Sequence, residues 1–160
     1  MSNLNRKQRR AMLHGKRNQE YVTLEEPRYL TKWRTFDGID RILTSIENGE
    51  LLAENGTPVF LGVNGERCQV IPALEGWIMM WRHATLKLSL KNDTYTVFEV
   101  IRRWLASDQL IPRGLVKAAR VCYQQQREYY DQHPYEAWQS IAKDVRIQIY
   151  LQPMQEEVAA

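Results

Sequence analysis

Two β-rich runs, Pro58-Val-Phe-Leu-Gly-Val63 and Glu66-Arg-Cys-Gln-Val-Ile71, are separated only by Asn64-Gly65. This arrangement constrains the fold more than any other stretch of the chain. A two-residue loop needs positive φ at both positions, which Asn and Gly accept most cheaply. Its twist then closes the flanking runs into an antiparallel hairpin. Two further turn dipeptides, Asn48-Gly49 and Asn55-Gly56, lie just upstream. The three pairs are too close together to mark a structural repeat.

On either side of the hairpin the apolar residues follow helical spacing. Thr35 or Asp37 is placed to cap a helix that carries Ile39, Ile42, Leu43 and Ile46 on one face, and Asn48-Gly49 stops it. Residues 18–34, around Pro27, read as an extended linker anchored by Tyr29, Leu30 and Trp33. A helix from Ala73 places Leu74, Trp77, Ile78, Trp81, Thr85 and Leu88 together, although the alternation over 86–90 fits a strand as well. Thr96-Val-Phe-Glu99 has the form of a capping box ahead of Val97, Phe98, Ile101, Trp104 and Leu105. Pro112 suits the first turn of a long helix that runs to about Asp131. His133-Pro134 opens a last helix with Trp138, Ile141, Ala142 and Val145 inward, and residues 146–151 fit a closing strand or more helix. The fold expected is therefore α+β: one mainly helical domain of about four helices with one β-hairpin. A flexible basic arm covers 1–17, the globular body 18–152 and an acidic flexible tail 153–160. The tryptophans Trp33, Trp77, Trp81, Trp104 and Trp138 are candidates for the core.

The formal net charge is only +3, but it is segregated. The arm holds Arg6, Lys7, Arg9, Arg10, Lys16 and Arg17 with no acidic residue, and the rest of the chain holds 16 basic and 19 acidic residues. A basic arm on a mildly acidic body is a pattern that binds nucleic acid through phosphates, with each cation displacing a counterion. It also serves as a plain solvated terminus. Within it, Arg6-Lys-Gln-Arg-Arg-Ala11 resembles the arginine-rich RNA-binding peptides of lambdoid phage antiterminators. That resemblance implies an arm that orders on RNA. It covers about a dozen residues and carries no family assignment for the body.

The body offers one matching feature. At 100° per residue, Arg113, Lys117, Arg120, Gln124 and Arg127 fall in a sector of about 80°, with Leu115, Ala118, Ala119, Cys122 and Tyr129 opposite. Such a helix fits a DNA major groove, and the helix ending at Leu105 before it gives a helix–turn–helix-like pair, with Arg102 and Arg103 nearby. The connection Ala106–Ile111 is longer than the usual turn of that motif. The alternative is a solvated face paired with acids from elsewhere in the fold. Tyr123, Tyr129 and Tyr130, with Tyr135 and Tyr150, supply either a protein-binding surface or an amphipathic rim.

Catalytic chemistry is not signalled. His14, His83 and His133 share no ligand spacing with one another or with Cys68 and Cys122, so no zinc pattern exists and both thiols read as inert. Phosphate-loop motifs are absent, and Glu25-Glu26 and Glu156-Glu157 fall in coil-like stretches. Two cysteines make no disulfide scaffold. No apolar run reaches the roughly 18 residues of a membrane span. The Arg-rich start is unlike a secretory signal, so a cytoplasmic protein without a cofactor or metal is expected. The function expected is that of a small non-enzymatic nucleic-acid-binding accessory or regulatory protein, for DNA or RNA. The alternative is an interaction module, an inhibitor or adaptor of the phage or mobile-element type, docking on a larger nucleic-acid-processing complex.

Overall fold

The computed structural model describes the backbone of residues 28–146 and the side chains of residues 36–146. The basic arm, the acidic tail, the strand alternative over 147–151 and the side chain of Trp33 lie outside the described residues. The chain divides into a compact unit over residues 1–35 and a second over 36–160. Of the first, the described part is the helical backbone of 28–35.

Helix α1 spans Arg28–Glu47, so the linker expected over 18–34 already gives way to helix at Arg28. Pro27 directly precedes it in the sequence, a residue type suited to a helix entrance. Asp37 is not a cap. It sits inside the helix and accepts a 2.8 Å bond from Arg41 Nε one turn on. The end is as expected: Gly49 takes φ +66°, and Glu50 N–H donates to Ser45 C=O at 2.8 Å, which satisfies a carbonyl the helix leaves open. Phe36, Ile39, Ile42 and Leu43 are buried.

Three strands follow where two were expected. They are β1 (Leu52–Glu54), β2 (Thr57–Leu61) and β3 (Arg67–Gln69), antiparallel in that order. The two-residue turn with both φ values positive is Asn55 (+52°) and Gly56 (+76°), between the paired Glu54 and Thr57. The Asn64-Gly65 turn is wider. Gly62 N–H donates to Glu66 C=O at 2.8 Å and Gly65 N–H to Gly62 C=O at 3.1 Å, with φ positive only at Gly65. This is the three-residue hairpin loop with a left-handed third residue. Phe60 and its partner Cys68 turn toward the core, while Val59, Leu52 and Gln69 share the other face. On that face Arg67 of β3 and Glu54 of β1 reach across β2 to 3.5 Å of each other. They flank Val59, which is buried outside the main core.

Val70 and Ile71, expected in the hairpin, begin α2 (Val70–Lys87) instead. Val70, Leu74, Trp77, Ile78, Trp81 and Ala84 are its buried stripe. The strand alternative over 86–90 does not hold. The helical ladder runs on to Leu88, Ser89 takes φ +51°, and Leu90 N–H closes the end on Thr85 C=O at 3.1 Å. In α3 (Thr96–Ala106) the capping box is replaced by a different cap. Asp93 Oδ1 accepts from the Tyr95 and Thr96 N–H groups at 2.9 and 3.0 Å, and the Thr96 hydroxyl bonds to Oδ2. Glu99 pairs with Arg82 of α2 at 3.6 Å rather than reaching back. Phe98 and Ile101 are buried, but Trp104 is only half-buried. Helices α4 (Arg113–Gln132) and α5, over 135–146, complete the set of five among the described residues. Trp138, Ile141 and Val145 point inward from α5, and Lys87 ties it to α2 through Ser140 and Asp144 at 2.6 and 3.0 Å.

The core is aromatic. Phe36 lies edge-on to Trp77, Tyr123 and Tyr130 at centroid distances of 5.1, 5.6 and 5.6 Å, and Tyr130 stacks on Trp138 at 5.0 Å. Such pairs add about 0.5–1.5 kcal/mol each beyond their buried area. No described helix is long and apolar enough to cross a membrane.

Candidate nucleic-acid interface

Helix α4 turns Val116, Ala119, Tyr123, Gln126 and Tyr130 to the core. This line is rotated by roughly a quarter turn from the expected apolar face. Leu115, Cys122 and Tyr129 end half-buried, and Ala118 is exposed. Two large rings decide the rotation, Tyr123 at 7% and Tyr130 at 1% exposure. A polar residue sits between them. Gln126 is fully buried, accepting from Trp77 Nε1 at 3.0 Å and donating to the Thr94 carbonyl at 3.1 Å. Tyr123 and Tyr130 are therefore core residues, contrary to the protein-binding surface expected of Tyr123, Tyr129 and Tyr130. Only Tyr129 of that trio is partly accessible.

The rotation brings the basic stripe beside the buried face, where α1 meets it. Arg120 is taken up there. Its Nη1 lies 2.5 Å from Asp40, its Nε 2.9 Å from Glu47 and its Nη2 2.8 Å from the Thr44 hydroxyl. Asp40, Thr44 and Glu47 recur at helical spacing on α1, so one face of that helix presents all three acceptors. Burial by itself lowers the Arg120 pKa. The bonds to Glu47 and Asp40 outweigh it, and the guanidinium is held charged more firmly than usual. Arg120, expected among the phosphate-binding residues, is thus a paired strut between α4 and α1.

The other cations of the stripe have no ion pair among the described residues. Arg113 and Lys117 are exposed, and among the described residues no carboxylate lies within ion-pairing distance of Arg113, Lys117 or Arg127. Arg127 lies over the Tyr123 ring at 5.8 Å, with Arg120 at the same distance. Burial raises the Tyr123 phenol, and Asp40 adds to this against the opposing effect of the two arginines. On α3, Arg102 pairs with Glu75 at 3.7 Å while Arg103 is exposed. The arm residues Arg6, Lys7, Arg9, Arg10, Lys16 and Arg17 lie outside the described residues.

Burial raises the Cys122 thiol, with Asp93 adding to it, so the thiolate needed for nucleophilic or metal chemistry is disfavoured. Among the described residues no group of three or more His, Cys, Asp or Glu side chains is placed to hold a metal ion. The chain matches no protein-family model, no curated protein and no solved structure.

Proposed function

We propose that the chain is a small non-enzymatic nucleic-acid-binding accessory or regulatory protein. Its arm supplies phosphate affinity, and Arg113, Lys117 and Arg127 on α4 supply a second contact. The observation that carries this reading is the segregation of charge: six cations and no acid in residues 1–17, against a net acidic remainder. Arg113, Lys117 and Arg127, with no carboxylate within ion-pairing distance among the described residues, support it. Arg120 is left out of the contact set.

The test is a binding titration of the full chain against mixed-sequence duplex DNA and structured RNA at low and physiological salt. Neutralising Arg6, Arg9 and Arg10 together to Gln is expected to weaken binding. It should also reduce the slope of log affinity against log salt by about 2–3, since each lost phosphate contact removes about 0.7–0.9. A triple variant that binds like the parent at every salt concentration removes the arm from the function. No binding by the parent at either salt would favour instead an adaptor docking on a nucleic-acid-processing complex.

A further inference from the structure

The solvent-facing ridge of α4 opposes its buried line. It is formed by Gly114, Lys117, Ala118, Val121 and Gln124, all exposed. A solvated helix usually clothes this ridge in long polar side chains. Here Gly114 and Ala118 leave the backbone nearly bare, and Val121 is 69% exposed. Beside the bare part stand Arg113 and Lys117, with no counter-carboxylate among the described residues. The sign then changes, with exposed Glu128 one turn beyond Gln124. The exposed positive segment beside this ridge is therefore confined to the first three turns, about 16 Å of helix, with the half-buried Arg127 beyond it over the Tyr123 ring. It includes the helix N-terminus, whose open N–H groups add to the same sign. No side chain caps that end.

From this juxtaposition we infer that the N-terminal half of α4 docks in the major groove of B-form duplex DNA. Ala118 and Val121 meet base edges there, and Arg113 and Lys117 reach the flanking phosphates. The inference rests on the nucleic-acid reading above and narrows it to one form of nucleic acid. Charge complementarity calls for a polyanion. Bare and apolar positions beside the cations call for a groove that admits a helix and offers methyl groups, which the major groove does at thymine. Duplex RNA has a major groove too narrow and deep for this approach. The first turns of a helix are also the part that groove-binding helices place against bases. Arg120, turned toward α1, acts as a strut behind the docking segment.

The experiment is fluorescence anisotropy of the full chain with a mixed-sequence duplex DNA and the duplex RNA of the same sequence. The variants are Ala118→Glu, Val121→Glu, Ala118→Gln, Lys117→Gln and Glu128→Gln, with the arm triple variant alongside. All these α4 sites are exposed, and urea unfolding midpoints confirm the fold. Either glutamate variant is expected to weaken duplex DNA binding by about tenfold or more, because it sets like charge against phosphates at the contact. Ala118→Gln should weaken it less, and Lys117→Gln should lower the salt slope by about one. Glu128→Gln should leave affinity within about twofold, and the parent should prefer DNA to RNA duplex. Glutamate variants that bind duplex DNA like the parent, while the arm variant is weakened, would overturn the groove docking and leave the arm reading standing. Equal affinity of the parent for both duplexes would do the same. A parent that binds neither overturns both readings.

Discussion

The indole N–H of Trp77 donates to the side-chain carbonyl of Gln126 at 3.0 Å, between two residues 49 positions apart in the chain. The Gln126 amide then donates to both the carbonyl and the hydroxyl of Thr94, which is itself fully buried. One polar side chain thus satisfies groups from α2 and from the segment before α3, inside an aromatic core. Replacing it with an apolar residue of similar size leaves the Trp77 N–H and the Thr94 carbonyl without partners. Gln126→Leu is expected to cost about 2–4 kcal/mol in urea unfolding. Trp77→Phe and Gln126→Leu together should cost less than the sum of the single changes by about 1 kcal/mol. Strict additivity would mean that the bond does not contribute.

Arg120 offers a second check, because its role as a strut separates stability from binding. Its side chain is 28% exposed and those of its acid partners more so, which moderates the gain from each ion pair. Arg120→Gln is expected to lower stability by about 1–2 kcal/mol at low salt and by less at high salt. Nucleic-acid affinity measured on the folded variant should stay within about twofold of the parent. A large loss of affinity with unchanged stability would return Arg120 to the phosphate-binding set.

What the sequence reveals depends on the range of the interaction. The inward stripes of α2 and α3 follow from local periodicity, because Leu74, Trp77, Ile78 and Trp81, or Phe98 and Ile101, are placed by the helical repeat alone. The Asn-Gly dipeptides mark turns correctly. Which of them closes the two-residue hairpin is set by strand pairing, since φ is positive at Asn55 but not at Asn64. β1 is three residues long, too short to show alternation. The burial of Gln126 is invisible to a pattern that sorts residues by polarity. The capture of Arg120 depends on acids 73 and 80 positions away. On α4, the competition between Tyr123 and the smaller apolar residues decides which face turns inward. That competition is settled by ring packing on Phe36, not by spacing.

Asp93 should make stability pH-dependent on the acid side. Burial pushes its carboxyl up, but hydrogen bonds from the Thr96 hydroxyl and from the Thr96 and Tyr95 N–H groups, with the Arg82 charge, hold it below the usual carboxylate value. A carboxyl lowered in the folded state binds its proton more readily once unfolded. Its contribution is therefore full above the unfolded-state value near 4 and is lost as pH falls through the lower folded-state value. Asp93→Ala is expected to cost about 1 kcal/mol at neutral pH through loss of the α3 cap. The variant should also lose less of its remaining stability between neutral and strongly acidic pH. A curve displaced in parallel with the parent's across that range would show that the Asp93 charge is not linked to folding.

The ends of α2 and α3 carry a cost that the end of α1 avoids. All three close on a left-handed residue: Gly49 at φ +66°, Ser89 at +51° and Asp108 at +59°. In each case the next residue's N–H reaches back to a carbonyl five positions earlier, as Gln109 does to Trp104 at 2.9 Å. Glycine adopts this conformation without a Cβ clash, whereas serine and aspartate meet one. Ser89→Gly is therefore expected to raise stability by about 0.5–1 kcal/mol, net of the extra freedom glycine gives the unfolded chain. Asp108→Gly should gain somewhat less, because aspartate tolerates the left-handed region better than serine. Thermal melts of the two variants check this directly. A drop in melting temperature for Ser89→Gly would mean that the hydroxyl stabilises this end by more than the Cβ strain costs it.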